Sequence, residues 1–97
     1  MTKLQSEQCA KIAKHYGEGS QLCILQEECA ELIQAISKIR RSIPNAGTHL
    51  IEELADVCIM VEQVISYMDD DEKTMLSKLI NTKLERQIRR IDDENPA

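Results

Sequence analysis

The chain has no tryptophan and no phenylalanine, and its only aromatic rings apart from histidine are Tyr16 and Tyr67. Leu, Ile, Val, Ala, Met and Cys must therefore build the core. At 97 residues that core belongs to one domain and is thin. Oligomerisation commonly completes a core of this kind, so the composition predicts a homodimer or homotetramer. No apolar run is long enough to cross a bilayer and no secretory signal opens the chain, so a soluble cytoplasmic protein without a membrane partner is expected. Cys9, Cys23, Cys29 and Cys58 form no CxxC or other zinc spacing, which leaves them as reduced thiols, mostly small core residues. Positive charge is also scarce. Twelve Lys and Arg against seventeen Asp and Glu give a net charge of −5, which argues against a nucleic-acid partner held by phosphate neutralisation.

With no internal repeat and few glycines or prolines, the punctuation divides the chain into four helical stretches, at about 2–16, 20–42, 48–68 and 71–91. Thr2-Lys3-Leu4-Gln5 fits a capping box, and Gly17 and Gly19 follow the first helix. Ser20 and Thr48 are candidate caps for the second and third helices, with Pro44 ending the second. Asp69, Asp70 and Asp71 suit the positive end of the fourth helix dipole, and Asp92 to Ala97 reads as a polar tail. Leu22, Leu25, Cys29, Leu32, Ile36 and Ile39 recur at spacings of three and four, the stripe of a packed helix. The third helix carries Leu50, Leu54, Val57, Val61, Val64, Ile65 and Met68, with Ile51, Ile59 and Met60 round the back, so it belongs at the centre or at an interface. Short connections favour antiparallel neighbours. The expected fold is an all-α, four-helix antiparallel bundle-like subunit.

Inside the two most apolar helices sit two acidic clusters, Glu27-Glu28-Cys29-Ala30-Glu31 and Glu53-Leu54-Ala55-Asp56. Carboxylates three or four residues apart share a helix face, and like charges there cost about 0.2–0.5 kcal/mol per pair. With Leu25 at zero, Glu28 lies near about −60°, Glu31 near −120° and Glu27 near −160°. With Leu54 at zero, Glu53 lies near about −100° and Asp56 near −160°. Glu28, Glu31, Glu53 and Asp56 therefore flank the apolar stripes. If the two faces meet, a bound cation makes the arrangement sensible, and oxygen-only ligands suit Mg²⁺ or Mn²⁺ better than zinc. The competing reading is that charged residues simply coat the outer faces of these helices.

On the fourth helix Lys83, Arg86 and Arg90 fall along one line. The helix dipole alone accounts for Arg89 and Arg90, whereas Lys83 and Arg86 lie earlier and suit phosphate contact. His15 and Tyr16 end the first helix, where they could touch a nucleotide, although a His at a helix C-terminus is common without any role. His49, near the start of the third, reads as solvated.

Leu25-Gln26-Glu27-Glu28-Cys29-Ala30-Glu31-Leu32 followed by Ile51-Glu52-Glu53-Leu54-Ala55-Asp56-Val57 resembles the EExxE…ExxD signature of the MazG-like nucleoside triphosphate pyrophosphohydrolases. Asn81-Thr82-Lys83-Leu84-Glu85-Arg86 is similar to that family's closing NxKxxR stretch. The resemblance implies an all-α oligomer that uses Mg²⁺, with Mn²⁺ as a substitute, to split a nucleoside triphosphate into monophosphate and pyrophosphate. Carried over by position, Glu28, Glu31, Glu53 and Asp56 are the implied metal ligands. Glu27 is an additional catalytic acid, and Lys83 and Arg86 hold phosphate. The dUTPase and phosphoribosyl-ATP pyrophosphohydrolase branches share the acid pattern, so the nucleotide stays open. A non-catalytic helical interaction module, or a nucleotide or metal sensor, is the alternative.

Overall fold

A computed structural model describes residues 1–95, and among these the protein is all-α: four helices and no strands. The helices are α1 (Lys3–Tyr16), α2 (Glu18–Arg40), α3 (Ala46–Ile65) and α4 (Asp70–Glu94). The chain divides into two compact units. The first, Met1–Tyr67, holds α1 to α3, and the second, from Met68 on, holds α4.

Helix starts and stops follow local chemistry. The Thr2 capping box forms as expected: Gln5 N–H donates to Thr2 Oγ1 at 3.1 Å, and Thr2 N–H donates to Gln5 Oε1 at 2.9 Å. A second capping box opens α4, where Glu72 N–H donates to Asp69 Oδ1 at 2.8 Å and Asp69 N–H to Glu72 Oε1 at 3.1 Å. Ser20 and Thr48 are not caps. Gly17, at φ 93°, ends α1 and begins α2 as the single residue between them, with Glu18 then in the favourable first turn. Asn45 precedes α3 at φ 64°, a left-handed conformation that asparagine tolerates. At the end of α2, Ser42 takes φ 57° while its N–H donates to Ile39 O and Ile43 N–H donates to Lys38 O, both at 3.0 Å. This pair of bonds is a Schellman closure, and it stops the helix before Pro44 is reached. At the other boundaries, α3 ends at Ile65, short of Met68, and α4 continues through Glu94 rather than stopping at Ile91. Of the expected polar tail, Asp92 to Glu94 are helical and the last two residues lie outside the described ones.

The five residues 41–45 turn the chain back, so α2 and α3 pack antiparallel as the main contact of the first unit. A spacing of seven recurs among their buried residues. Gln21 and Ala35 are buried on α2 with half-buried Glu28 midway, while Ala46, Glu53 and Met60 are buried on α3, which also buries Gln63. A seven-residue repeat keeps one seam facing its partner along the length of both helices. On each helix this seam is rotated by about 70° from the centre of the apolar stripe read from the sequence, towards the acids. Leu22, Ile36 and Ile39 on α2, and Leu54 and Val61 on α3, are consequently exposed. Because the helices are antiparallel and both rotate in the same sense, the uncovered flanks lie on one side of the pair. The other side carries α1: Cys9 Sγ lies 3.9 Å from Ile59 O, and Tyr67 O–H donates to Ala13 O.

Candidate metal centre

Glu28 comes from the middle of α2 and Glu53 from the second turn of α3, each at the centre of the seam. One oxygen of Glu28, Glu53 and Asp56 can be chosen so that all three lie within 4.8 Å of one another. Glu53 is only 8 % exposed, Glu28 is half-buried and Asp56 is exposed, so the cluster runs from the seam outward to solvent.

The electrostatics are unfavourable without a counter-charge. Burial pushes the Glu28 carboxyl above its ordinary pKa, and Glu31, Asp56 and Glu53 add to the rise. Burial raises Glu53 as well, with Glu31 and Asp56 contributing and His49 opposing. Glu28 Oε2 and Glu53 Oε2 are both buried with no hydrogen-bond partner among the described residues. A buried carboxylate oxygen left unpaired is costly, and two on facing helices form a place where a cation could be held. The donors are all carboxylate oxygens, which fits a hard divalent ion such as Mg²⁺ or Mn²⁺.

Of the residues singled out in the sequence, Glu28, Glu53 and Asp56 come together as a tight triad. Glu31 lies outside that triad yet close enough to raise the pKa of both Glu28 and Glu53. Glu27 is exposed beside it on α2. Lys83 and Arg86 are exposed on α4, in the second unit. A cavity of about 570 Å³ between α1 and α3, lined by Gln8, Cys9, Ile12 and Ile59 among others, shares no residue with the triad.

His49 is the neighbour that sequence reading missed. It is not simply solvated: its Nε2 lies 3.4 Å from Glu53 Oε1. The signal was the spacing, since residues four apart on a helix meet. Gln21 also went unnoticed. It is 1 % exposed, with Oε1 unpartnered among the described residues, one seven-residue repeat before Glu28.

A family model, the MazG nucleotide pyrophosphohydrolase domain, matches residues 17–93, most of the chain. The chain belongs to this family. The match takes in α2, α3 and nearly all of α4, and therefore both acidic clusters and the Lys83–Arg86 stretch. Comparison with curated proteins and with solved structures gives no match. Membership of the MazG family points to a hydrolase acting on nucleotides, and its general dependence on a divalent metal agrees with the donor set of the triad. Among the described residues no helix is long and apolar enough to cross a membrane, and all four cysteines are free thiols.

Proposed function

We propose that the protein hydrolyses nucleoside or deoxynucleoside triphosphates to the monophosphate and pyrophosphate, with Mg²⁺ held by Glu28, Glu31, Glu53 and Asp56. The observation that carries this reading is the pair of buried oxygens, Glu28 Oε2 and Glu53 Oε2, without partners among the described residues and on facing helices of a MazG domain. When bound, Mg²⁺ would supply Lewis-acid chemistry, drawing charge from the phosphates as a P–O bond of the α–β phosphoanhydride breaks. Glu28, Glu53 and Asp56 contribute ligand oxygens from both sides of the seam, and Glu31 supplies a further carboxylate at its edge. Glu27, the first acid of the motif, accepts a proton from the attacking water at its carboxylate. Lys83 and Arg86 bind phosphate, the arginine through its planar fork and the lysine as a point charge. Positioning and fixed charge provide most of the rate enhancement, since the protein forms no covalent bond to substrate.

The proposal includes a homodimer or homotetramer working in the cytoplasm. Support for assembly comes from the uncovered flank of the α2–α3 pair, where Leu22, Ile36, Leu54 and Val61 are exposed together with Cys29 and Cys58. A soluble monomer rarely leaves so continuous an apolar surface open.

The test is pyrophosphate release from a panel of nucleoside triphosphates, with Mg²⁺ and with chelator. Metal-dependent release from wild type and its near-complete loss in Glu53→Gln are expected. Binding of nucleotide or metal without turnover of any substrate in the panel would instead make the protein a sensor.

A further inference from the structure

His49 stands at the edge of the triad with a role that the charge pattern alone does not require. Its Nε2 is 3.4 Å from Glu53 Oε1, while the other oxygen of the same carboxylate, Oε2, is buried and unpartnered among the described residues. The two oxygens are thus differentiated: one faces an imidazole nitrogen, the other is buried in the seam, and the Glu31 and Asp56 carboxylates are close to the group. Glu53 hangs from α3 by a side chain with three rotatable bonds, and fixing such a chain entails a loss of conformational entropy. An imidazole in contact with one oxygen narrows the range of orientations open to the carboxylate. Groups that orient ligands in this way commonly govern metal affinity as strongly as many ligands do.

We propose that His49 is a positioning residue for the metal centre: its Nε2, in contact with Glu53 Oε1 at 3.4 Å, acts as a donor that restrains this oxygen when the cation binds and keeps Glu53 Oε2 turned towards it. This rests on the metal-dependent reading above. The i, i+4 spacing fixes the register, because His49 and Glu53 stack on successive turns at the start of α3. The side chain of His49 is 40 % exposed, so shortening it opens no core cavity. An ordinary surface ion pair of this kind contributes little to folding.

Mn²⁺ binding, followed by loss of the free-ion electron paramagnetic resonance signal, separates the two roles without any turnover. Wild type, His49→Ala and His49→Gln are titrated as full chains, with the helical circular dichroism of each recorded. Glutamine can present an N–H near the position of the imidazole Nε2. The expected result is a 10–100-fold weaker Mn²⁺ affinity in His49→Ala and affinity within about threefold of wild type in His49→Gln. If wild type binds Mn²⁺ and His49→Ala binds it equally well, the positioning role is wrong and the metal centre stands. If His49→Gln binds as weakly as His49→Ala, the donor role is likewise overturned. A wild type that binds no Mn²⁺ removes the metal reading itself and this inference with it.

Discussion

Glu28 and Glu53 face each other across the antiparallel α2–α3 pair, and each has one buried carboxylate oxygen with no hydrogen-bond partner among the described residues. Two helices that offered only apolar stripes to each other would place these acids at the margin. Here the packing is rotated so that the acids take the centre and part of the apolar surface is left uncovered. The arrangement forgoes burial and adds repulsion, and a cation bound between the carboxylates reverses the second cost.

Adding Mg²⁺ or Mn²⁺ should therefore raise the melting temperature. A cation that binds only the native state stabilises it by about 2.7 kcal/mol at a hundredfold excess over its dissociation constant, which corresponds to an increase on the order of 10 °C. Glu53→Gln keeps shape and polarity while removing a ligand charge. That variant is expected to melt at or above the wild-type temperature in chelator and to lose most of the metal-induced shift. Differential scanning calorimetry of both proteins, with and without metal, checks this; an undiminished shift in Glu53→Gln would count against the centre.

The pH response of the metal-free protein follows from the same pair. Folding raises the pKa of Glu28 and Glu53, so the native state holds more protons than the unfolded chain above the ordinary carboxylate value of about 4.3. Their contribution to stability is present below that pH and is lost as pH rises through the raised native values. Replacing both by glutamine removes this loss. In urea unfolding with chelator, the advantage of Glu28→Gln/Glu53→Gln over wild type should be larger at pH 7 than at pH 4. Equal advantage at both values would mean that the two carboxyls do not titrate abnormally in the fold.

Four helices and two acidic clusters were legible because helix periodicity and motif spacing are local properties. The Thr2 capping box was readable for the same reason. The caps of α2 and α3 were misread, since Ser20 and Thr48 are good capping types but the backbone turns earlier, at Gly17 and Asn45. The seam was misread by about 70°, because a helical wheel assumes that the most apolar face is the buried one. Which face is buried depends on the partner helix. A functional site can therefore draw the contact towards polar residues such as Gln21, Glu28 and Glu53. His49 was overlooked because a residue near a helix start was read by position instead of by its neighbour four residues on.

Tyr67 joins the end of the first unit to α1 through its hydroxyl, which donates to Ala13 O. That carbonyl also accepts from Gly17 N–H at 2.9 Å, so removing the hydroxyl strands no backbone acceptor. Tyr67→Phe keeps the ring and should cost about 0.5–1.5 kcal/mol, the net worth of one hydrogen bond. Chemical denaturation measures it. A loss several times larger would mean that the hydroxyl has partners beyond Ala13.

Arg86 and Lys83 are exposed on α4, where truncation removes no core contact. Arg86→Ala is therefore expected to leave thermal unfolding nearly unchanged while impairing triphosphate turnover. Steady-state kinetics with Mg²⁺, beside a melting curve, tests both halves. Wild-type turnover and substrate affinity in the variant would reduce these cations to ordinary surface charge.

Assembly offers the last check, and it bears on the uncovered flank directly. Ile36 on α2 is 44 % exposed and Leu54 on α3 is 45 % exposed, both on the side of the pair opposite α1. Burying apolar area contributes about 25 cal/mol per Å², so a second copy seated on this face has a clear driving force, whereas a charge placed there opposes it. Wild-type protein at micromolar concentration should show no dominant monomer by light scattering. Leu54→Glu should shift the population towards monomer. Leu54 also neighbours Glu53 in the chain, so Ile36→Glu on the other helix serves as an independent probe of the same surface. Both variants dissociating would locate the interface on the α2–α3 flank, whereas a stable, well-folded wild-type monomer would remove the second copy from the account.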